Sequence, residues 1–273
     1  MTFIGAKMLP KVDYHMHTPL CGHAVGNPDE YVRRAMEVGL EEIGFSDHAP
    51  LVTHEDARYT MNQTQLPLYH QMMEEVQKKT KNLKIKIGIE ADFVPGFEDK
   101  TRAILSGYPY DFVIGSVHFI DAWAFDDPEE KIKWKDKDVD RVYRDYYKLL
   151  RLSAESGLYD IMGHVDLVKK FGHRPSADLT GEIEKTAQVF KKTGVAVEIN
   201  TSGLRKPVNE IYPSFPVLKL YRQAGVPITF SSDAHDPNDV GRDYDKAYAL
   251  AKAAGYEEYL VFKKRKIEGK ERL

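Results

Sequence analysis

The sequence predicts an α/β protein whose parallel strands and outer helices close into a barrel related to the TIM barrel. Two observations support this fold class. Seven short runs rich in Val, Ile and Phe alternate with amphipathic segments of helical period, and this alternation is typical of a parallel sheet covered by helices. Seven such units are also close in number to the eight of a TIM barrel. For a chain of 273 residues, one domain spanning residues 1–273 is the simplest organisation.

The predicted strands carry the apolar runs, and the predicted helices carry the segments between them. The strands cover residues 11–17, 42–48, 84–93, 112–119, 159–166, 195–202 and 227–235. The helices cover residues 28–39, 65–81, 138–157, 179–194, 214–225 and 243–255, and several end at a glycine, a common helix stop. An open doubly wound sheet is the alternative. It usually has a glycine-rich phosphate loop after the first strand, whereas here that strand leads into His-Thr-Pro-Leu-Cys-Gly-His.

Composition and charge narrow the classes of function. The formal net charge is −3, and no basic tract marks a nucleic-acid surface, so we expect no nucleic-acid partner. The single cysteine, Cys21, excludes an intrachain disulfide and favours a reducing compartment. Residues 1–11 lack the pattern of a signal peptide, and no apolar stretch is long enough to span a membrane. We therefore expect a cytoplasmic protein without membrane contact, and the oligomeric state stays open.

Most of the histidines fall at one kind of position in the predicted barrel. The chain has ten histidines, and seven of them lie at or just beyond the carboxyl end of a predicted strand. These seven are His15, His17, His23, His48, His118, His164 and His235. Because active sites of such barrels are built at the carboxyl ends of the strands, this distribution predicts a functional site there.

Carboxylates join these histidines in spacings that are typical of metal ligands. His15 and His17 are two apart on a strand, so their side chains point the same way, and Asp233 and His235 repeat that spacing. Glu90 ends the third predicted strand. Any one of these residues alone is more often structural than a ligand, but their conjunction is hard to explain structurally. Imidazoles with a few carboxylates suit Zn²⁺, Fe²⁺ or Mn²⁺, and nine candidate ligands exceed what one ion can hold.

Seven stretches of this sequence resemble the PHP family (polymerase and histidinol phosphatase) in family order. They are His-Met-His-Thr-Pro-Leu-Cys-Gly-His at 15–23, Phe-Ser-Asp-His-Ala-Pro-Leu at 45–51, Gly-Ile-Glu-Ala-Asp-Phe at 88–93, Ile-Gly-Ser-Val-His-Phe at 114–119, Gly-His-Val-Asp-Leu-Val-Lys-Lys-Phe at 163–171, Asn-Thr-Ser-Gly-Leu-Arg-Lys at 200–206 and Ser-Ser-Asp-Ala-His at 231–235. The stretch at 200–206 and the Ala-Pro-Leu at 49–51 are the most specific. These two resemble the histidinol-phosphatase branch of the family.

The resemblance implies a distorted seven-stranded (β/α)7 barrel, formed by a single PHP-type metallophosphoesterase domain, with three divalent metal ions (Zn, Fe or Mn) as cofactors. It also implies the ligands of each ion. The first ion would be held by His15, His17, Glu90 and Asp233, the second by Glu90 as a bridge with His118 and His164, and the third by His23, His48 and His235.

The implied activity is that of a metal-dependent phosphoric monoester hydrolase, a histidinol-phosphatase of histidine biosynthesis. L-Histidinol phosphate would give L-histidinol and phosphate through attack by a hydroxide that bridges two metals. Glu90, Asp233 and His118 would take part in catalysis. Arg205 and Lys170 are the candidates for binding the phosphate group.

Recognition of the rest of that substrate is expected from two loops, residues 49–66 and 120–137, which are longer than barrel connections need. Loops of this length are often lids or specificity loops. A cationic amino group and an imidazole would be bound by carboxylates and aromatic side chains. Four such residues are available in the two loops, without a ranking among them: Glu55, Asp56, Asp121 and Trp123.

Three other functions are alternatives to that of a histidinol-phosphatase. A PHP-type phosphoesterase or nuclease acting on another phosphate ester or on DNA ends would have a similar metal set, but the near-neutral charge and the lack of a basic aromatic groove argue against nucleic acid. An amidohydrolase-like metal hydrolase also begins with His-x-His, but it usually has a bridging Lys or Glu on the fourth strand, where this chain has His118. A metal store or scaffold would bind metal without turnover.

Overall fold

The computed structural model describes residues 9–273, and its strands form one seven-stranded sheet and two hairpins. The strands are β1 (Val12–Asp13), β2 (Glu42–Phe45), β3 (Lys84–Asp92), β4 (Phe112–Ser116), β5 (Phe119–Ile120), β6 (Trp123–Ala124), β7 (Ile161–Met162), β8 (Ala196–Asn200), β9 (Ile228–Ser231), β10 (Glu258–Lys263) and β11 (Lys266–Arg272). Most of the segment predicted to lack a signal peptide, residues 1–11, lies outside the described residues.

The seven-stranded sheet is parallel throughout, in the order β1-β2-β3-β4-β7-β8-β9. Its two edges meet just beyond the first and last strands. The backbone N–H of His17 donates to the carbonyl of Ala234 (2.9 Å), and the N–H of Ala234 donates to the carbonyl of His15 (3.0 Å). The sheet is thus a nearly closed barrel, as the sequence predicts.

The observed strands are shorter than the predicted ones, mainly at their carboxyl ends. The first predicted strand runs to residue 17, yet β1 ends at Asp13, and beyond it Met16 forms an isolated bridge to Ala234. His48 forms a similar isolated bridge to Glu90. Beyond the regular strands, isolated bridges thus join the segments that carry candidate ligands.

Helices follow the strands and cover the outside of the barrel. They are α1 (Pro28–Glu37), α2 (Leu66–Lys79), α3 (Glu98–Ser106), α4 (Val139–Glu155), α5 (Thr180–Thr193), α6 (Phe215–Ala224) and α7 (Tyr244–Ala254). Six were predicted, but α3 was not, because its nine residues bury only Thr101 and Leu105 and leave a weak apolar pattern. Among residues 9–273, no helix combines the length and apolar character needed to cross a membrane.

The amino-terminal end of the barrel is filled by aromatic side chains and covered by the β10–β11 hairpin, which was not predicted. The rings of Tyr14 and Phe112 lie 4.9 Å apart. Glycine makes room for them, because a Cβ at Gly44 or Gly88 would lie 2.5 or 2.3 Å from the Phe112 ring. The N–H of Phe262, in β10, donates to the Tyr14 hydroxyl (3.3 Å). We call this end of the barrel the floor.

Candidate metal centre

Glu90 occupies the middle of the carboxyl end of the barrel and is 2% exposed. One carboxylate oxygen, Oε2, lies 3.1 Å from Nε2 of His15 and 2.9 Å from Nδ1 of His48. The other oxygen, Oε1, lies 3.1 Å from Nε2 of His164 and 3.7 Å from Nε2 of His118. The two oxygens therefore face two different groups of imidazoles, which is the arrangement that a bridging carboxylate requires.

Asp233 completes the first of these groups with His15 and His17. Its Oδ1 lies 3.3 Å from Nε2 of His17 and 3.9 Å from Nε2 of His15. The ligand atoms of the three residues all lie within 4.8 Å of one another. The two-apart spacing in the sequence thus brings the side chains together in the way expected of ligands to one ion.

The remaining predicted ligands gather on the other side of His17. The ligand atoms of His17, His48 and His235 lie within 4.8 Å of one another, and so do those of Cys21, His23 and His235. The rings of His23 and His235 stack with centroids 4.7 Å apart. All nine predicted ligands therefore converge in one cluster, which also includes the buried Cys21. Their assignment to individual ions stays a prediction.

Unsatisfied polar atoms test whether this cluster suits metal ions. Nε2 of His15, Nε2 of His17 and Oε2 of Glu90 are buried without a hydrogen-bond partner within residues 9–273, as is Nε2 of His235. Such atoms are rare because each costs roughly 1–3 kcal/mol of desolvation. Imidazole nitrogens and carboxylate oxygens grouped in this way fit divalent transition-metal ions.

The carboxylates in the cluster are held in the ionised form that ligates metals, whereas the pKa shifts of its imidazoles go in both directions. Burial opposes ionisation of Glu90, but His15 and His48 outweigh it and hold the pKa of Glu90 well below its usual range. Burial opposes ionisation of Asp233 as well, yet His15 and His17 hold its pKa well below the usual value. Burial, and then the charge of His17, lowers the pKa of His235 well below its usual value. Burial opposes protonation of His15 and His17, yet the nearby carboxylates hold their pKa values well above the usual one, so metal binding must release protons from these imidazoles.

Three buried or half-buried carboxylates that were not predicted from the sequence lie beside the rings of the predicted ligands. Glu198 lies 2.9 Å from Nδ1 of His15, and its Oε1 accepts the backbone N–H of His164 (2.7 Å). Asp92 lies 2.9 Å from Nδ1 of His118. Asp47 lies 3.5 Å from Nδ1 of His17, a nitrogen that has no hydrogen-bond partner within residues 9–273, so Asp47 acts on this ring through its charge. Such partners fix the orientation and tautomer of metal-binding histidines. A signal was present, because Glu198 is a charge within the otherwise apolar run of β8.

Two of the candidate ligands have an unusual backbone. The φ angles of Asp233 and His164 are 52° and 24°, in the left-handed region that residues other than glycine rarely adopt. Residues held in this way concentrate at functional sites. Arg205 supports the first of them, since its Nη2 donates to the carbonyl of Ser232 (2.6 Å) while its Nε lies 3.1 Å from Asp239.

A cavity of about 420 Å³ lies directly above the cluster. Two lysines line it. Lys170, predicted from the sequence, pairs with Asp126 at 2.8 Å, and Lys206, which was not predicted, also faces the cavity. Arg205 is not among the described residues that line the cavity. Its predicted contact with phosphate stays a prediction, and the guanidinium bonds described above hold the backbone beside Asp233.

The two long loops also contribute to the cavity, but through other residues than those considered from the sequence. Tyr59 and Thr60 come from the first loop, and Asp126 and Asp127 come from the second. Over residues 9–273, the lining includes none of the four residues considered for substrate recognition, Glu55, Asp56, Asp121 and Trp123. The carboxylates that face the cavity from the second loop are instead Asp126 and Asp127.

Comparisons with known proteins agree with this fold. The PHP domain model matches residues 13–202. A probable histidinol-phosphatase of Deinococcus radiodurans is 42% identical over 230 residues, covering 84% of this chain and 88% of that protein. The histidinol-phosphatase of Bacillus subtilis is 32% identical over 266 residues, covering 87% of this chain and 98% of that protein.

A solved structure extends the likeness to the whole barrel. The histidinol phosphate phosphatase of Lactococcus lactis, in a crystal with Zn, L-histidinol and phosphate, matches with a TM-score of 0.82 and 27% identity. The match covers 96% of this chain and 100% of that one. Family model, relatives and fold agree with one another, and this chain belongs to the PHP family, in its histidinol-phosphatase branch.

Proposed function

We propose that this chain is a histidinol-phosphatase, a metal-dependent hydrolase that converts L-histidinol phosphate to L-histidinol and inorganic phosphate in histidine biosynthesis. The observation that carries this proposal is the convergence of seven histidines, Glu90 and Asp233 beneath a cavity of about 420 Å³. That volume lies in the range of small-molecule sites, roughly 300–1,000 Å³. The substrate is supported by the relatives that bear this name and by the Lactococcus lactis structure with L-histidinol and phosphate.

The cofactors we propose are three divalent ions of Zn, Fe or Mn. His15, His17 and Asp233 would hold the first, and Glu90 would bridge it to a second. His118 and His164 would complete the second, and His23, His48 and His235 would hold the third. Two facts support this division: each Glu90 oxygen faces different imidazoles, and nine ligands are too many for one ion. When bound, such ions neutralise phosphate charge and lower the pKa of a bound water towards ~7.

The residues of the chain prepare the site for a phosphate monoester dianion. Lys170 and Lys206 add positive charge to the cavity wall, which favours entry of the anion. Glu198 and Asp92 keep the rings of His15 and His118 turned towards Glu90. Arg205 holds the carbonyl of Ser232, next to Asp233, and its Nη1 is buried without a partner among residues 9–273. We propose this unpaired donor as the group of Arg205 that contacts phosphate.

Turnover by the purified protein tests the proposal. The protein is stripped with a chelator and reloaded separately with Zn²⁺, Mn²⁺ or Fe²⁺, and its metal content is measured. Release of inorganic phosphate is then compared for L-histidinol phosphate, other phosphomonoesters and a 5′-phosphorylated single-stranded DNA, and release of nucleotides is measured as well for the DNA. We expect kcat/KM for L-histidinol phosphate to exceed that for every other substrate by at least about 10-fold. Metal binding without turnover, or a preference for DNA, would overturn the proposal.

A further inference from the structure

The two long loops start from different strands, yet they meet above the metal centre. The hydroxyl of Tyr59, in loop 49–66, donates to the carboxylate of Asp127, in loop 120–137. Asp127 is 7% exposed, and its other oxygen accepts the backbone N–H of Glu129 (2.8 Å). We call the two joined loops the roof. A hydrogen bond to a buried carboxylate is stronger than one between exposed neutral groups.

A second contact between the loops is weaker. Nη1 of Arg58 lies 2.9 Å from Glu129, but the two side chains are 62% and 75% exposed. Exposed ion pairs of this kind contribute little to stability. Arg58 is also held within its own loop by Asp56, through Nε at 3.0 Å and Nη2 at 2.7 Å. The link that joins the two loops is therefore chiefly the Tyr59–Asp127 hydrogen bond.

The roof is also fixed to the metal cluster. The carbonyl of Arg58 accepts a hydrogen bond from Nδ1 of His23 (3.1 Å). The first loop also passes close to Gly22, the residue before His23, because a Cβ on Gly22 would lie 1.9 Å from the carbonyl oxygen of Ala57. Consequently, loop residues 57–60 connect a candidate metal ligand, His23, to Asp127 of the second loop.

The roof sets the size of the space above the metals. Tyr59, Thr60, Asp127 and Pro128 all line the cavity of about 420 Å³. A nucleic-acid strand would instead need an open, positively charged groove with aromatic platforms. We infer that the Tyr59–Asp127 hydrogen bond is a specificity determinant, which holds the roof over the metal centre and restricts the enzyme to small phosphomonoesters. This inference rests on the proposed function.

The metal-loaded Tyr59→Phe variant tests this inference, because it keeps the aromatic ring and removes the hydroxyl. The matched control is Tyr248→Phe on α7, outside the cavity lining. The measured quantity is kcat/KM for L-histidinol phosphate, a nucleoside 5′-monophosphate and a 5′-phosphorylated trinucleotide. We expect Tyr59→Phe to raise the ratio of kcat/KM for the trinucleotide to kcat/KM for each of the two smaller substrates by about 10-fold or more. Metal content should stay unchanged. Tyr248→Phe should leave that ratio at the wild-type value.

A second variant and a second readout keep the test decisive. Asp127→Ala, which removes the acceptor of the Tyr59 hydroxyl, should shift the ratio in the same direction. Hydrogen exchange of backbone amides in residues 49–66 and 120–137 should become faster in both variants and stay unchanged in Tyr248→Phe. Ratios and exchange rates equal to wild type in both variants would overturn the inference. If wild type fails to hydrolyse L-histidinol phosphate, the proposed function falls, while the mononucleotide-to-trinucleotide ratio and the exchange rates still decide the role of the roof.

Discussion

Two buried glutamates on neighbouring strands show how differently the two ends of the barrel are built. Glu42 begins β2 at the floor, where it accepts the Tyr14 hydroxyl and lies 3.7 Å from Nζ of Lys86. Glu90 lies near the other end of β3, among five histidines. Burial raises the pKa of Glu42, whereas the histidines hold that of Glu90 well below its usual range against the effect of burial.

The difference lies in how each end satisfies its polar atoms. At the floor, Lys86 pairs with Glu268 of the hairpin at 2.6 Å, and the Tyr14 hydroxyl binds both Glu42 and the backbone of Phe262. At the metal centre, Nε2 of His15 and Oε2 of Glu90 have no hydrogen-bond partner in the described chain. The floor thus satisfies its own charges, and the other end keeps lone pairs for ligands. Barrels of this kind separate stability and function in the same way.

The largest effect should follow from Glu90→Ala, which removes the carboxylate shared by both groups of imidazoles. Without it, the histidines lose the negative charge that holds cations between them, so we expect phosphatase activity to fall below detection. Bound metal per chain should also fall. Elemental analysis and phosphate release measure both effects, with Glu75→Ala on the exposed face of α2 as the control. Full activity in Glu90→Ala would remove Glu90 from its bridging role.

Glu198→Gln tests whether a residue that contacts candidate ligands, without being one, also controls metal affinity. The substitution keeps the volume but places an amide where a carboxylate now binds Nδ1 of His15 and the N–H of His164. We expect metal affinity to fall about 10–100-fold, seen as metal retained during dialysis against increasing chelator. The control is Glu184→Gln, exposed on α5. Equal retention in both variants would make Glu198 a purely structural residue.

Arg205→Ala separates two roles of one guanidinium. As a phosphate ligand, Arg205 should contribute about 2–3 kcal/mol, so its loss should raise KM or lower kcat/KM by that amount. As a support for the backbone beside Asp233, its loss should also reduce bound metal. Steady-state kinetics at saturating metal, combined with elemental analysis, distinguish the two. A variant equal to wild type in both measurements would exclude both roles.

Lys206→Ala should have a smaller effect of the same sign. Desolvation, and then the charge of Lys170, lower the pKa of Lys206. In addition, a lysine contacts phosphate as a point charge, whereas an arginine can form two parallel hydrogen bonds. We expect kcat/KM to fall by about 1.5 kcal/mol, with metal content unchanged. Lys219→Ala on α6 is the control. A fall in metal content, or unchanged kinetics, would contradict a role in attracting the phosphate.

Local patterns in the sequence were sufficient to predict the barrel and the positions of the candidate ligands. Apolar runs gave the strands, and His15, His17, Asp233 and His235 stood out because imidazoles and a carboxylate ended those runs. The short helix α3 and the β10–β11 hairpin were missed, since neither has a long periodic pattern. Their places are set by packing against the barrel.

The directions of neighbouring side chains could not be predicted from the sequence. Arg205 and Lys206 are adjacent, and the sequence favoured the arginine for phosphate. The 3-10 turn Thr201–Arg205 ends between them, so the guanidinium reaches Ser232 and Asp239 while Lys206 faces the cavity. Similarly, the pairing of Tyr59 with Asp127 joins residues 68 positions apart. Contacts of this kind depend on tertiary structure and leave no periodic signal.

The smallest effect on activity should come from Glu42→Gln, the floor counterpart of the Glu90 variant. A glutamine can still accept the Tyr14 hydroxyl, and Lys86 keeps its contact with Glu268. We expect a loss of about 1 kcal/mol in the free energy of unfolding, or roughly 2–4 °C in Tm. Metal content and kcat/KM should match wild type, because the altered group lies at the floor, at the opposite end of the barrel from the candidate metal ligands. A loss of bound metal in this variant would show that the two ends are coupled through the barrel.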